Sequence, residues 1–188
     1  ASSIFRTLSN LSYPLEKVVF GVNNELVEAK FKGMFVTAVF GKFNIETGEV
    51  NFVNAGHESI MVFDRNKNFE FIKSEMPPIG IIKYFTESMV KSKTINLKDK
   101  TFVVYTDGVT EGYLKNGQEL GAEGVQRIVT DLNIISPKVL VDTIAEQLNW
   151  GAEKLRDDIT CLALDLKNTE LLKPVKKKRP ETTEENKN

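Results

Sequence analysis

The chain has 188 residues, 41% of them hydrophobic and 27% charged, and its formal net charge at pH 7 is −1. This length and composition predict one globular domain with its own core, and the balanced charge argues against nucleic-acid binding, which usually needs a basic face. The single cysteine, Cys161, excludes an internal disulfide. No apolar run approaches 18 residues and no signal-peptide pattern is present, so we expect a cytoplasmic chain without a membrane span.

Two helices are predicted at the start of the chain. Apolar residues recur at helical spacing in 4–11, and a second helix runs up to Lys32-Gly33. Its apolar stripe consists of Leu15, Val18, Val19, Val22 and Leu26. If these stripes are poorly covered, the helices form a regulatory switch or a homodimer surface; the alternative is that they pack on a sheet.

The sequence period then changes to that of antiparallel strands. Residues 34–40 are almost continuously apolar, which favours a strand covered on both faces, and turn sequences occur at 46–49, 64–68 and 96–100. Strand segments are predicted in residues 34–40, 50–55, 59–63, 69–72, 88–95 and 101–105.

Two more helices and a last strand follow. The first helix covers 121–131, and the second begins at Ser136 as N-cap with Pro137 at its first position. In the strand candidate 159–166, leucines alternate with Cys161 and Ala163, so we expect the leucine face to meet the helices and the small face to approach another sheet. From residue 167 the sequence is polar, and we interpret 167–188 as a flexible charged tail.

Two acidic motifs lie at the ends of predicted strands. Asp107-Gly108 follows the strand 101–105, and Asp157-Asp158 precedes the strand 159–166. Carboxylates in such positions suit hard cations such as Mg²⁺ or Mn²⁺, which take oxygen ligands. An Asp-Gly pair also marks turns, and an aspartate pair can cap a strand. The two motifs together favour a metal site.

Five short strings carry a family resemblance. They are GMFVTA at 33–38, NAGH at 54–57, PPIG at 77–80, YTDGVTE at 105–111 and DDIT at 157–160. In this order they closely resemble the SpoIIE-like serine phosphatases of the metal-dependent protein phosphatase 2C superfamily. The resemblance covers about residues 1–166 and implies an αββα sandwich of two antiparallel sheets flanked by helices.

The resemblance also implies roles for individual residues. Asp107 and Asp157 match aspartates that bind one catalytic metal, whereas Asp158 stands where relatives have Asp or Asn and is expected to orient the loop or a water. We expect Gly108 to permit the turn that presents Asp107 and the Thr160 hydroxyl to bond nearby backbone. No catalytic side chain is expected beyond the metal ligands.

His57 is the single histidine of the chain. Imidazoles often act as general acids or metal ligands, but the NAGH string favours a structural role in a loop shaped by side-chain hydrogen bonds. The PPIG string similarly favours a rigid turn, with a substrate-facing loop as the alternative.

Two further motifs of the family do not occur in this chain: an earlier Gly-Asp-x-x-Asp-type strand and an Asp-x-x-Gly-His-Gly-type motif. Their acidic residues would bridge two metals, so we interpret the domain as N-terminally incomplete and expect this chain alone to be poorly active. The implied function is that of a serine/threonine phosphatase with two Mn²⁺ or Mg²⁺ ions that activate water.

The implied substrate is a phosphorylated regulatory protein of bacterial signalling, such as an anti-sigma-factor antagonist, and an upstream sensor domain is expected to control the enzyme. Two alternatives belong to other classes. One is a catalytically inactive phosphatase fold that binds partners. The other is a metal-dependent nuclease, which the balanced charge and the motif order disfavour.

Overall fold

A computed structural model describes residues 13–29, 35–133, 136–148 and 158–166. The helices of these ranges are α1 (Leu15–Glu28), the one-turn α2 (Asp107–Thr110), α3 (Gly121–Asp131) and α4 (Pro137–Gln147), with a 3₁₀ turn at Glu87–Met89. The strands are β1 (Ala38–Asn44), β2 (Glu49–Ala55), β3 (Ile60–Asp64), β4 (Phe69–Ile72), β5 (Lys93–Asn96), β6 (Lys100–Tyr105) and β7 (Cys161–Leu164).

The strands form two antiparallel sheets, one in the order β1-β2-β5 and the other in the order β4-β3-β6-β7. The hairpins β1–β2 and β3–β4 confirm the predicted pairings around 46–49 and 64–68. The turn at 96–100 instead joins strands of different sheets, because β5 pairs with β2 whereas β6 pairs with β3 and β7. Leu97 is fully buried at this crossing, in the core between the sheets.

The layers stack in the order helix, sheet, sheet, helices. Alternate residues of β2 face opposite sides: Val53 and Ala55 pack in the cluster that contains α1, and Val50 and Phe52 pack between the sheets. There the rings of Phe52 and Phe102 meet edge to face with centroids 5.2 Å apart. Helices α3 and α4 cover the outer face of the four-stranded sheet. The predicted αββα sandwich is therefore confirmed.

The first strand differs from its prediction. It spans Ala38–Asn44 rather than 34–40, and it is an edge strand of the three-stranded sheet. Before it, Val36 makes an isolated bridge with Ile79, and the side chain of Phe35 is 56% exposed. Both faces of the strand contact a core: Ala38 and Phe40 pack in the cluster that contains α1, and Val39 and Phe43 pack between the sheets. The strand is therefore partly covered on both faces, as expected, although its bounds differ.

Helix α1 packs more firmly than its sequence suggested. Its stripe residues Leu15, Val18, Val19 and Val22 are buried at 0–2% exposure. For this helix the structure supports packing on the sheet rather than an uncovered switch or dimer surface. The predicted helix in 4–11 lies outside the described residues.

The two faces of β7 are reversed relative to the prediction. Cys161 and Ala163 pack with the helix-side core, and Leu164 and Leu166 pack with the core between the sheets. Small side chains let α4 approach the strand closely, whereas sheets that pack about 10 Å apart need bulky residues between them. Helix α4 itself begins as predicted, since the Ser136 hydroxyl accepts from the Val139 amide at 3.2 Å.

Candidate active site

The ends of β6 and β7 bring the two acidic motifs together. Thr106 follows β6, and its amide donates to the Thr160 carbonyl at 3.0 Å. The Thr106 hydroxyl donates to the Asp158 carbonyl at 3.0 Å and accepts from the Thr160 amide at 3.0 Å. The segment that carries Asp107 is therefore fixed to the segment that carries Asp158.

Asp107 is exposed at the first position of α2. Its Oδ1 accepts from the Gly108 amide at 2.9 Å, and its carbonyl accepts from the Glu111 amide at 2.7 Å. Gly108 is buried in this helical turn and has no positive φ, so the turn does not depend on the special backbone freedom of glycine. What glycine provides here is the absence of a side chain at a buried position.

Asp157 lies outside the described residues, so its convergence with Asp107 stays a prediction. Its neighbour Asp158 is exposed, and its carbonyl accepts the hydrogen bond from the Thr106 hydroxyl. Within the described ranges no group of three metal-binding side chains occurs. An exposed carboxylate on a fixed turn, such as that of Asp107, is an oxygen ligand of the kind that Mg²⁺ and Mn²⁺ take.

The NAGH loop is shaped by side-chain hydrogen bonds, as predicted. Asn54 is 6% exposed, its Nδ2 donates to the Glu58 carbonyl at 2.9 Å, and its Oδ1 accepts from the His57 amide at 2.9 Å. The Gly56 amide donates to Ser74 Oγ at 2.8 Å. Gly56 has a φ of +67°, and a Cβ there would lie 2.5 Å from Pro78. Glycine is therefore required at this position.

The PPIG turn connects this loop to α1. Gly80 has a φ of +91°, and its amide donates to Asn23 Oδ1 at 2.9 Å. Asn23 is 1% exposed within α1, where sequence reasoning did not single it out. A polar residue inside an otherwise apolar helix stripe was the available signal, because such residues need a specific partner.

An apolar cleft opens between the two sheets, with a volume of about 370 Å³. Its walls come from both sheets, and His57, Thr106 and Thr160 lie among its lining residues. The apolar lining residues are Val39, Phe43, Val50, Phe52, Phe102, Val104, Leu162 and Leu164. The cleft therefore brings the histidine loop and both strand-end motifs to one cavity.

Two titratable side chains near the cleft have raised pKa values. Burial is the main cause for Tyr105, whose pKa is raised further by the charges of Glu58 and Cys161. Burial alone raises the pKa of the Cys161 thiol to about 11. Both groups are neutral at pH 7, so neither supplies a nucleophilic anion.

Thr106 is the residue that sequence reasoning missed. The hydroxyl that bonds backbone near the acidic motifs was expected from Thr160, but Thr106 provides it and Thr160 contributes its amide and carbonyl. Nothing local distinguishes the two threonines, since each stands beside an aspartate motif. The pairing of Tyr105 with Cys161 determines which one reaches across.

The two antiparallel sheets and their flanking helices have the fold of protein phosphatase 2C domains of known structure. The family described as Stage II sporulation protein E (SpoIIE) matches residues 1–167, and the chain belongs to this family. Protein IcfG of Synechocystis sp. is 27% identical over 133 residues, which are 70% of this chain and 20% of IcfG. The chain thus spans about a fifth of this curated relative.

Solved structures show the same fold. The Bacillus subtilis SpoIIE phosphatase domain with a fragment of its regulatory domain has a TM-score of 0.65 at 16% identity, with 86% of this chain and 47% of that chain covered. The manganese-presoaked phosphatase domain of the same protein has a TM-score of 0.57 at 16% identity, with 87% and 70% covered. Over the described part of the chain, no helix has the length and apolarity of a membrane span.

Proposed function

We propose that the protein containing this chain is a metal-dependent serine/threonine phosphatase. The observation that carries the proposal is the hydrogen-bonded junction of the Asp107 and Asp158 segments at the mouth of the cleft. Membership of the SpoIIE family supports the same activity. The substrate would be a phosphoserine or phosphothreonine of a regulatory protein in bacterial signalling, such as an anti-sigma-factor antagonist.

The residues that would hold Mn²⁺ or Mg²⁺ are Asp107 and Asp157, with Asp158 orienting the loop. Divalent ions in such a site activate water and neutralise the charge of a phosphomonoester, whose uncatalysed hydrolysis is among the slowest known. The chain's own contribution is to fix Asp107 at the start of α2, directly after Thr106, which lines the apolar cleft. Further ligands and an upstream sensor domain would come from other parts of the full-length protein, so residues 1–188 alone would be poorly active.

The test is release of phosphate from a phosphoserine peptide by the full-length natural protein with Mn²⁺. We expect EDTA to abolish the activity and Asp107→Asn to lower kcat by about 100-fold or more, since a ligand carboxylate is lost. Asp64→Asn is the matched control, because the Asp64 carboxylate accepts hydrogen bonds from its own turn at Asn66 and Asn68. A folded full-length protein without metal-dependent activity would instead support the inactive partner-binding fold.

A further inference from the structure

We propose that Glu58 selects substrates in which a basic residue lies close to the phosphorylated serine or threonine. This inference rests on the proposed phosphatase function and adds a specificity-determining residue to it. Glu58 is exposed and directly follows His57, which lines the cleft. Its carboxylate would pair with a lysine or an arginine of the substrate.

The backbone of Glu58 is held in the NAGH loop independently of its side chain. The Glu58 carbonyl accepts from Asn54 Nδ2 at 2.9 Å, and Oδ1 of the same asparagine accepts from the His57 amide at 2.9 Å. Two residues further on the chain enters β3 at Ile60, which is fully buried. These bonds do not involve the Glu58 carboxylate, so the loop presents that side chain from a fixed position.

The strand register places Glu58 beside the junction of the two acidic motifs. Strand β3 pairs with β6 so that Met61 lies opposite Val103. Continued by three residues, from 61 to 58 and from 103 to 106, this register puts Glu58 opposite Thr106. Thr106 directly precedes Asp107 and bonds the segment of the second acidic motif. Glu58 is thus at the same end of the same sheet as Asp107.

Two further observations agree with this placement. Alternate side chains of a strand share a face, so the alternation of β3 puts Glu58 on the face of Ile60 and Val62, which pack between the sheets. Burial is the main cause of the raised pKa of Tyr105 at the end of β6, and the charge of Glu58 raises it further. The carboxylate therefore lies near enough to the end of β6 to act on charged groups there.

A negative charge in this position repels the phosphate of a substrate unless the substrate also brings a positive charge. None of the three ion pairs in the described part of the chain involves Glu58. Nor is Glu58 among the residues proposed to hold Mn²⁺ or Mg²⁺. Its charge therefore favours a substrate with a basic side chain next to the phosphate, and it disfavours one with an acidic side chain there.

The test uses the full-length natural protein with Mn²⁺ and three phosphoserine peptides. They differ only in the residues that flank the phosphoserine, which are arginine, alanine or glutamate. We expect kcat/KM to be about tenfold higher for the arginine peptide than for the glutamate peptide, with the alanine peptide between them. Raising the salt concentration should reduce this ratio, because exposed charges are screened.

Three variants show whether Glu58 causes the preference. Glu58→Gln should bring the ratio below about twofold, by lowering kcat/KM for the arginine peptide and raising it for the glutamate peptide. Glu58→Lys should reverse the order of the peptides. Glu123→Gln is the matched control and should keep the ratio, because Glu123 is exposed on α3, which covers the outer face of the sheet. Thermal unfolding of Glu58→Gln should match the unchanged protein.

The outcomes separate this proposal from the phosphatase function. No preference in the unchanged protein, a preference that persists in Glu58→Gln, or an equal change for all three peptides would overturn the role of Glu58 and leave the phosphatase function intact. If the unchanged protein hydrolyses none of the peptides, the phosphatase function itself fails and the role of Glu58 fails with it.

Discussion

The two faces of the four-stranded sheet differ at strand β7. On the helix side the strand is closed over, and Leu140 and Ile144 of α4 are buried at 0–1% exposure beside Cys161 and Ala163. On the inner side Leu162 is 49% exposed and lines the open cleft. One strand therefore packs into a closed core through one face and lines an open cleft through the other.

Truncating one leucine on each side tests this contrast most directly. We expect Leu140→Ala to lower the free energy of unfolding by about 2–5 kcal/mol, because it opens a cavity in a closed core. Leu162→Ala should cost less than about 1 kcal/mol, since half of that side chain already contacts solvent. Urea unfolding monitored by circular dichroism measures both. Equal losses would mean that the cleft is packed in solution.

Two glycine substitutions compare the NAGH loop, which contains Gly56, with strand β1, which contains Gly41. Gly56→Ala should destabilise the protein by about 1–2 kcal/mol for its positive φ alone, and further because of the contact with Pro78. Gly41→Ala is the control, because a Cβ there would meet its neighbours only at 3.9–4.0 Å. Thermal unfolding of the two variants should separate them clearly. A tolerated Gly56→Ala would show that the loop is not constrained as described.

The next effect concerns the junction of the two acidic motifs. Thr106→Val removes a hydroxyl that both donates and accepts, so we expect a loss of about 1–3 kcal/mol and weaker Mn²⁺ binding by the full-length protein. Thr143→Val on α4 removes a hydroxyl that donates to the Val139 carbonyl. It should change neither the free energy of unfolding nor Mn²⁺ binding appreciably. Calorimetric metal titration and thermal unfolding measure both variants. Unchanged metal binding by Thr106→Val would show that this junction does not contribute to the metal site.

A further effect is the low reactivity of the Cys161 thiol. Its pKa is about 11 instead of the ordinary 9.0, so at pH 8 its thiolate fraction is about a hundredfold lower than that of an unfolded cysteine. We expect alkylation by iodoacetamide to be slower by about that factor in the folded protein than in urea. In a full-length protein with other cysteines, Cys161→Ala provides the background. Rapid labelling under native conditions would show that the thiol is not buried between β7 and the helices.

The raised pKa of Cys161 also makes the stability of the folded protein depend on pH. The folded state holds the thiol proton more tightly than the unfolded state does, so this contribution to stability is complete below about pH 9 and is lost as the pH rises towards about 11. Cys161→Ala should lack this part of the alkaline loss in urea unfolding at pH 8 and pH 10.

Local patterns predicted most of the elements. The hairpin β3–β4 and the capped start of α4 depend on neighbouring residues, so periodicity and turn composition were sufficient. The bounds of β1, and the choice of which face of β7 contacts the helices, depend on the layers that pack against these strands. A single sequence does not contain that information. For the candidate site, the aspartate motifs were predicted from sequence and their metal binding stays a prediction, whereas the bridging role of Thr106 required the register of β6 against β7.

The junction at Thr106 also has a consequence for the order of folding. Its bonds join residues 52 and 54 positions apart, whereas the hairpins β1–β2 and β3–β4 close over short turns. Long loops cost more entropy to close, and contacts between distant residues form slowly. The hairpins can therefore form from nearby residues, while the acidic motifs meet only after the intervening helices have returned the chain to the sheet. A nascent or partly unfolded chain can therefore form the two hairpins before the pairing of β6 with β7 completes the four-stranded sheet and brings the acidic motifs together.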